Sequence, residues 1–262
     1  MSSITGKVAV VTGGGRGIGR AIAHELAKLG TKVAVLARSS NEINTVAVEL
    51  RELGAEALAI SLDVTDLDAI NKTVATITDK LGTIEILVNN AGVVKPIGEY
   101  TKVDVKAWKF PIEVNLFGTH YLTHAVLPTM LENGYGRIVN ISSSAGRRTG
   151  APWLGAYSVS KAAIDMYTRN LAQEIDGSGV TINAVDPGPV DTEMVKDIRS
   201  KGEDGGVVAQ RLDQMTEQGK LIPPQTTGEL TAGLILSNKQ GEIVPVMNEE
   251  KTLRAYLEAA QG

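Results

Sequence analysis

The chain has 262 residues, 28 glycines and no cysteine, and is 43 % apolar, 21 % charged and 4 % aromatic. That is ample for a sizeable core and typical of an ordinary globular protein. The net charge of −4 leaves no electrostatic footprint for nucleic acid, no apolar run approaches the ~20 residues of a membrane helix, and the missing cysteine excludes disulfides, thiolate catalysis and zinc–thiolate sites.

The N-terminus reads as free of a signal peptide, because the apolar stretch Val8–Val11 is short and runs into glycines. β-branched runs predict strands at Val8–Thr12, Val33–Ala37, Ala57–Asp63, Ile86–Asn89, Arg137–Ser142 and Thr181–Asp186. Helical patterns lie between them at Gly17–Leu29, Glu42–Leu53, Asp66–Leu81 and Trp108–Glu132, with another at Ala156–Glu174. Several strands are apolar on both faces, as strands covered by helices on both sides are. This alternation predicts an α/β fold of right-handed βαβ units on a parallel sheet. No repeat, low-complexity block or linker divides the chain, so residues 1–262 read as a single domain.

Residues 191–225 are polar, and Lys201–Gly206 should break any helix; a lid or a disordered loop is expected there. A last short strand, Glu242–Val246, carries Pro245, which confines it to a sheet edge or bulge. In Lys251–Ala260, Leu253, Tyr256, Leu257 and Ala260 recur at helical spacing, so the tail, residues 251–262, should dock on the body or on a partner.

The first strand ends in Thr12-Gly13-Gly14-Gly15-Arg16-Gly17-Ile18-Gly19, and a helix pattern follows at once. Glycines at positions 13, 17 and 19 permit a tight turn and close backbone approach. The free N–H groups of the helix start suit a pyrophosphate. The second strand ends Leu36-Ala37-Arg38-Ser39-Ser40, with no acid to bond the ribose 2′-OH of NAD. Arg38 instead offers a charge-assisted fork to the 2′-phosphate of NADP(H), Ser39 a hydroxyl, and Arg16 a second cation.

Tyr157 and Lys161 lie four apart, on one face of a helix. A tyrosine near its ordinary pKa of about 10 is a poor acid or base at neutral pH, and a nearby cation should lower it. Upstream, Ile138–Ile141 is a strand running into Ser142-Ser143-Ser144, at the end of the sheet where open α/β folds bind ligands.

Taken in order, the glycine turn, Asn89-Asn90-Ala91-Gly92, Asn115, the serine turn and the Tyr157/Lys161 pair resemble the short-chain dehydrogenase/reductase family, from about Lys7 to Thr192. The resemblance implies a doubly wound, Rossmann-like parallel sheet with helices on both faces. It implies that Ser143 holds the substrate oxygen, Tyr157 exchanges the proton, Lys161 binds the nicotinamide ribose and tunes the tyrosine, and Asn115 supports a proton relay through water. The cofactor would meet the turn at Gly13, Gly15, Arg16, Gly17, Ile18 and Gly19. Asp63 and Val64 would contact adenine. Asn89, Ala91 and Gly92 would lie along the cofactor, and Pro187, Gly188, Val190 and Thr192 on the nicotinamide side. The strand end selects Ser143, whereas counting back from Tyr157 selects Ser144. Val94, Trp153 and Met194 are the candidate substrate pocket.

The expected activity is interconversion of a small ketone or aldehyde and its alcohol with NADP(H), in the cytoplasm. One alternative is 3-oxoacyl-acyl-carrier-protein reduction. Against it, the places where such reductases carry basic residues read Asn133-Gly134-Tyr135 and Asp176-Gly177-Ser178. Another is a redox-inactive NADP(H) sensor, which would need no Ser143/Tyr157/Lys161/Asn115 set. Ile243–Asn248 replaces the family's tetramer-building Asp-Gly-Gly segment, which leaves homodimer and homotetramer open. No nucleic-acid or membrane partner is expected. His120 and His124 lack a third ligand, so no metal is expected. Arg147 and Arg148 read as a solvated pair.

Overall fold

Side-chain alternation along the first strand divides the core into two layers. β1 (Val8–Thr12) sends Ala9 and Val11 to one face and Val8 and Val10 to the other. The computed structural model describes residues 4–147, 151–245 and 248–261. After β1 come β2 (Lys32–Ala37), β3 (Ala57–Ser61), β4 (Ile84–Asn89), β5 (Gly136–Ile141), β6 (Val180–Asp186) and β7 (Ile243–Pro245). All pair in parallel, in the order β3-β2-β1-β4-β5-β6-β7. Strand order reverses between β1 and β4. In open α/β sheets the ligand crevice opens outside the carboxyl ends at such a switch point.

The helices are α1 (Gly17–Lys28), α2 (Ser40–Glu52), α3 (Leu67–Leu81), α4 (Gly118–Glu132), α5 (Gly155–Glu174), α6 (Glu193–Arg199), α7 (Gly206–Glu217), α8 (Pro224–Leu236) and α9 (Glu250–Gln261). Helices α1, α2, α8 and α9 cover the Ala9/Val11 face; α3, α4 and part of α5 cover the other. This is the doubly wound α/β fold.

Three features depart from the sequence reading, and the edge position of the last strand agrees with it. The single helix expected over Trp108–Glu132 is a 3₁₀ turn (Ala107–Lys109), a π-helical turn (Ile112–Phe117) and then α4. The stretch 191–225, expected to be irregular, is largely helical. Lys201–Gly206 does interrupt it, as a 3₁₀ turn (Gly202–Gly205) between α6 and α7. Helix α8 was not anticipated because it has no polar face to set a period: Leu230, Ala232, Leu234, Ile235 and Leu236 are all buried against α1 and α9. β7 is an edge strand, the position that tolerates Pro245, while Val246 and Met247 lie outside the described residues.

The tail docks on the body. In α9, Leu253 and Leu257 are buried, and Arg254 bonds Glu229 of α8 at 2.6 Å.

Candidate active site

Two glycines shape the turn between β1 and α1. Gly17 has φ +53°, in the left-handed region that favours glycine. Gly19 is buried, and a Cβ there would run into the Gly13 carbonyl and the Asn90 amide. Gly19 therefore lets the first turn of α1 close on the loop, and does not itself line the cleft. Gly19→Ala is expected to cost about 1–3 kcal/mol by overpacking, a fall of several degrees in Tm read by thermal denaturation.

A cleft of about 820 Å³ opens at the strand switch point. One end is walled by Gly13, Gly15, Arg16, Gly17, Ile18 and the tip of β2 at Arg38 and Ser39. Asp63 and Val64 form a side wall, and Gly92, Val94 and Met194 also line the cleft, as do Thr192, which lies against Gly17, and Ala91, which lies against Gly13. Arg38 and Ser39 are exposed. Arg16 pairs with Glu42 at 3.6 Å across the mouth. Asp63 accepts bonds from Thr65 N (2.9 Å) and Oγ1 (2.8 Å), which fix its turn. A helix N-terminus, close-approaching backbone and a two-arginine end fit a dinucleotide.

Asn89 does not reach this cleft. It is buried within the sheet, and its Nδ2 donates to Asn140 Oδ1 (2.9 Å) and Thr123 Oγ1 (3.1 Å). The next residue, Asn90, lines the cleft instead. Its Nδ2 donates to the carbonyls of Thr12 (2.9 Å) and Gly13 (3.1 Å), tying the tip of β4 to the glycine turn. Asn90 belonged to the quoted Asn89–Gly92 run but was not singled out; strand parity decides which of two adjacent asparagines faces inward. Pro187, Gly188 and Val190 are likewise off the cleft wall. Val190 is buried and bridges Ile222.

Behind Gly92 sits the tyrosine–lysine pair of α5. A Cβ on Gly92 would lie 3.3 Å from Asn115 Oδ1 and 3.7 Å from Lys161 Nζ. Lys161 is buried and donates to the Ile141 carbonyl at 2.6 Å. Its ammonium lies 5.7 Å from the Tyr157 ring centroid. Asn115 is buried in the π-helical turn. Its Oδ1 accepts from Val93 N (2.8 Å), and its Nδ2 donates to Val93 O (3.0 Å) and Ser160 Oγ (2.9 Å). Such π turns are frequent at functional sites.

The Ser143 side chain faces the Tyr157 phenol and acts on its titration; Ser144 is exposed. The phenol is shifted opposite to the sequence expectation. Burial raises its pKa above the ordinary value, the neighbouring Ser143 hydroxyl opposes this, and the Asp186 charge adds to it. Burial depresses Lys161 to about 8, against the opposing charge of Asp165.

Val94, Leu154 and Tyr157 share a buried apolar cluster with Ile198 of α6 and Ala209 of α7, and Met194 packs against it. Trp153 lies off the cleft wall, with its ring packed over Gly206 at the start of α7. Arg147 is not solvated as expected: it pairs with Asp186. Arg148 lies outside the described residues. The His120 and His124 rings join Tyr121 and Tyr167 in an aromatic group.

The "short chain dehydrogenase" family model matches residues 7–203. A 3-oxoacyl-[acyl-carrier-protein] reductase of Synechocystis is 38 % identical over 202 residues, 77 % of this chain and 81 % of that protein. The oxidoreductase UcpA of Salmonella typhimurium is 37 % identical over 236 residues, 89 % of each. Among solved structures, NAD⁺-bound xylitol dehydrogenase superposes with TM-score 0.85 at 28 % identity, covering 93 % of this chain and 98 % of that one. An actinorhodin polyketide ketoreductase variant with NADPH gives 0.83 at 34 % identity, covering 94 % and 97 %. With the family model spanning most of the chain and relatives above 30 % identity along most of its length, the protein belongs to the short chain dehydrogenase family of nicotinamide-dependent oxidoreductases.

Proposed function

We propose that the protein is an NADP(H)-dependent oxidoreductase that interconverts a small ketone or aldehyde and its alcohol, with Tyr157 as the acid/base. The observation that carries this reading is the grouping of Ser143, Tyr157, Lys161 and Asn115 behind Gly92, which lines the same cleft as Arg16 and Arg38. Bound nicotinamide supplies or accepts the hydride at the substrate carbon. Ser143 holds the substrate oxygen, and the phenol gives it a proton in reduction or takes one in oxidation. A phenol raised by burial stays protonated at neutral pH, which suits it to donation. Asn115, locked to Val93 and Ser160, orders the backbone behind the pair. The test is loss of NADPH absorbance across a panel of small ketones and aldehydes; tight NADPH binding with no turnover of any of them favours the redox-inactive sensor instead.

Lys161 gives a pH dependence. Its pKa of about 8 means that the ammonium is present below that pH and lost above it. For reduction, kcat/KM reports the free enzyme, so it is expected to be level below about pH 8 and to fall above it. A pH–rate profile level well past that point contradicts the role of Lys161.

Helices α6 and α7 form the lid. Met194 and Ile198 reach the Tyr157 cluster, and Asp197 bridges the cleft to Lys95 at 3.1 Å. A homodimer or homotetramer is the assembly we favour, because Phe117, Val159 and Met166 are exposed on the π-helical turn before α4 and on α5. The absence of cysteine suits a reducing cytoplasm. Among the described residues no helix is long and apolar enough to cross a membrane. Similarity to the Synechocystis reductase supports a second reading, a 3-oxoacyl thioester on a carrier protein. Comparing kcat/KM for a carrier-bound and a free 3-oxo ester separates the two.

A further inference from the structure

We propose that Arg147 is a positioning residue: it pins the Ser143 turn to the carboxyl end of β6 through Asp186 and Asp165, and so holds Ser143 against Tyr157. The proposal rests on the reading of Tyr157 as the proton-transferring group.

The Arg147 side chain is only 24 % exposed. Its Nη2 donates to Asp186 Oδ2, and its Nε lies 3.9 Å from Asp165 Oδ2. Asp186 ends β6, and its other oxygen accepts from Gly188 N at 3.1 Å. Asp165 sits on α5 one turn after Lys161. It accepts a bond from the Ser142 hydroxyl, and its Oδ2 has no hydrogen-bond partner. One guanidinium therefore joins three segments: the end of β5 with its serine turn, α5, and the end of β6. Both carboxylates are buried. Carboxylates taken out of water need a cation. Lys161 is committed to the Ile141 carbonyl, and Arg169 reaches Asp165 only through its field. Arg147 fills that role.

The arrangement reaches the phenol. Tyr157 is faced by the Ser143 hydroxyl, by the Lys161 ammonium and by the charge of Asp186, which disfavours phenolate. Arg147 offsets that charge. Removing Arg147 and removing Asp186 must therefore act on Tyr157 in opposite directions, whereas general loosening of the loop would move both the same way.

The experiment replaces Tyr157 with 3,5-difluorotyrosine, whose more acidic phenol titrates within the range of the folded protein, and follows it by fluorine NMR without cofactor. Arg147→Gln is expected to raise the midpoint by about one unit, the scale of a nearby charge. Asp186→Asn should lower it, and Arg147→Lys should stay near the parent. Equal midpoints in all three, or shifts of one sign in Arg147→Gln and Asp186→Asn, overturn the proposal. If Arg147→Gln loses its circular dichroism signal, Asp186→Asn decides alone: a lowered midpoint supports the network, and an unchanged or raised one overturns it. Full turnover in Tyr157→Phe would remove the acid/base reading while leaving the titration shifts to stand or fall separately.

Discussion

Tyr157→Phe is expected to lower kcat for carbonyl reduction by about 10²–10⁴-fold, the usual contribution of one positioned acid or base. NADPH affinity should stay nearly unchanged. The reasoning is local. Tyr157 is buried and its ring packs in the cluster of Val94, Leu154 and Ile198, so phenylalanine keeps the packing and deletes only the hydroxyl. The partner left behind, Ser143, is part-buried and already accepts from Ala145 N at 3.2 Å, so little is orphaned. The Gly13–Gly19 turn and Arg38 end of the cleft are untouched. Steady-state kinetics beside an NADPH binding titration checks both halves. Parallel loss of binding and turnover would mean the substitution disturbs the fold and not the proton transfer.

Arg38→Asp is expected to weaken NADPH binding by roughly 10- to 100-fold, from loss of a charge-assisted bond worth about 1.5–3 kcal/mol. NADH should bind about as before, or better. Arg38 directly follows β2 and lines the cleft beside Ser39, and an aspartate there could bond a ribose 2′-OH. Arg16 cannot fully replace it, because Glu42 already holds Arg16 across the mouth. Isothermal titration with both cofactors gives the ratio. A wild-type protein that binds NADH as tightly as NADPH would refute the 2′-phosphate reading.

The sheet was legible because its strands are short β-branched runs punctuated by glycine. The order Val8–Thr12, glycine turn, α1 follows from local chemistry alone. Helices α6 to α8 were not legible. α6 is short, α7 follows a run of glycines, and α8 is buried on nearly every side, so none of them offers a clean amphipathic period. The sequence named Ser143, Tyr157, Lys161 and Asn115, which the fold brings to one place. It could not separate Asn89 from Asn90, which takes strand parity at the sheet's end, nor pair Arg147 with Asp186, which lies 39 positions away. The sign of the shift at Tyr157 was missed for a related reason. Burial dominates the shift, opposed only by Ser143, and burial is a property of the packed chain.

The central claim is that this cleft carries out carbonyl reduction with a proton from Tyr157. The most direct measurement gives the wild-type protein NADPH deuterated at the transferable position and the panel ketone consumed fastest, with Tyr157→Phe alongside. Mass spectrometry then locates the label. The account predicts an alcohol deuterated at the former carbonyl carbon from the wild type and only a trace from the variant. NADPH bound with no deuterated alcohol, or equal yields from both proteins, would contradict it.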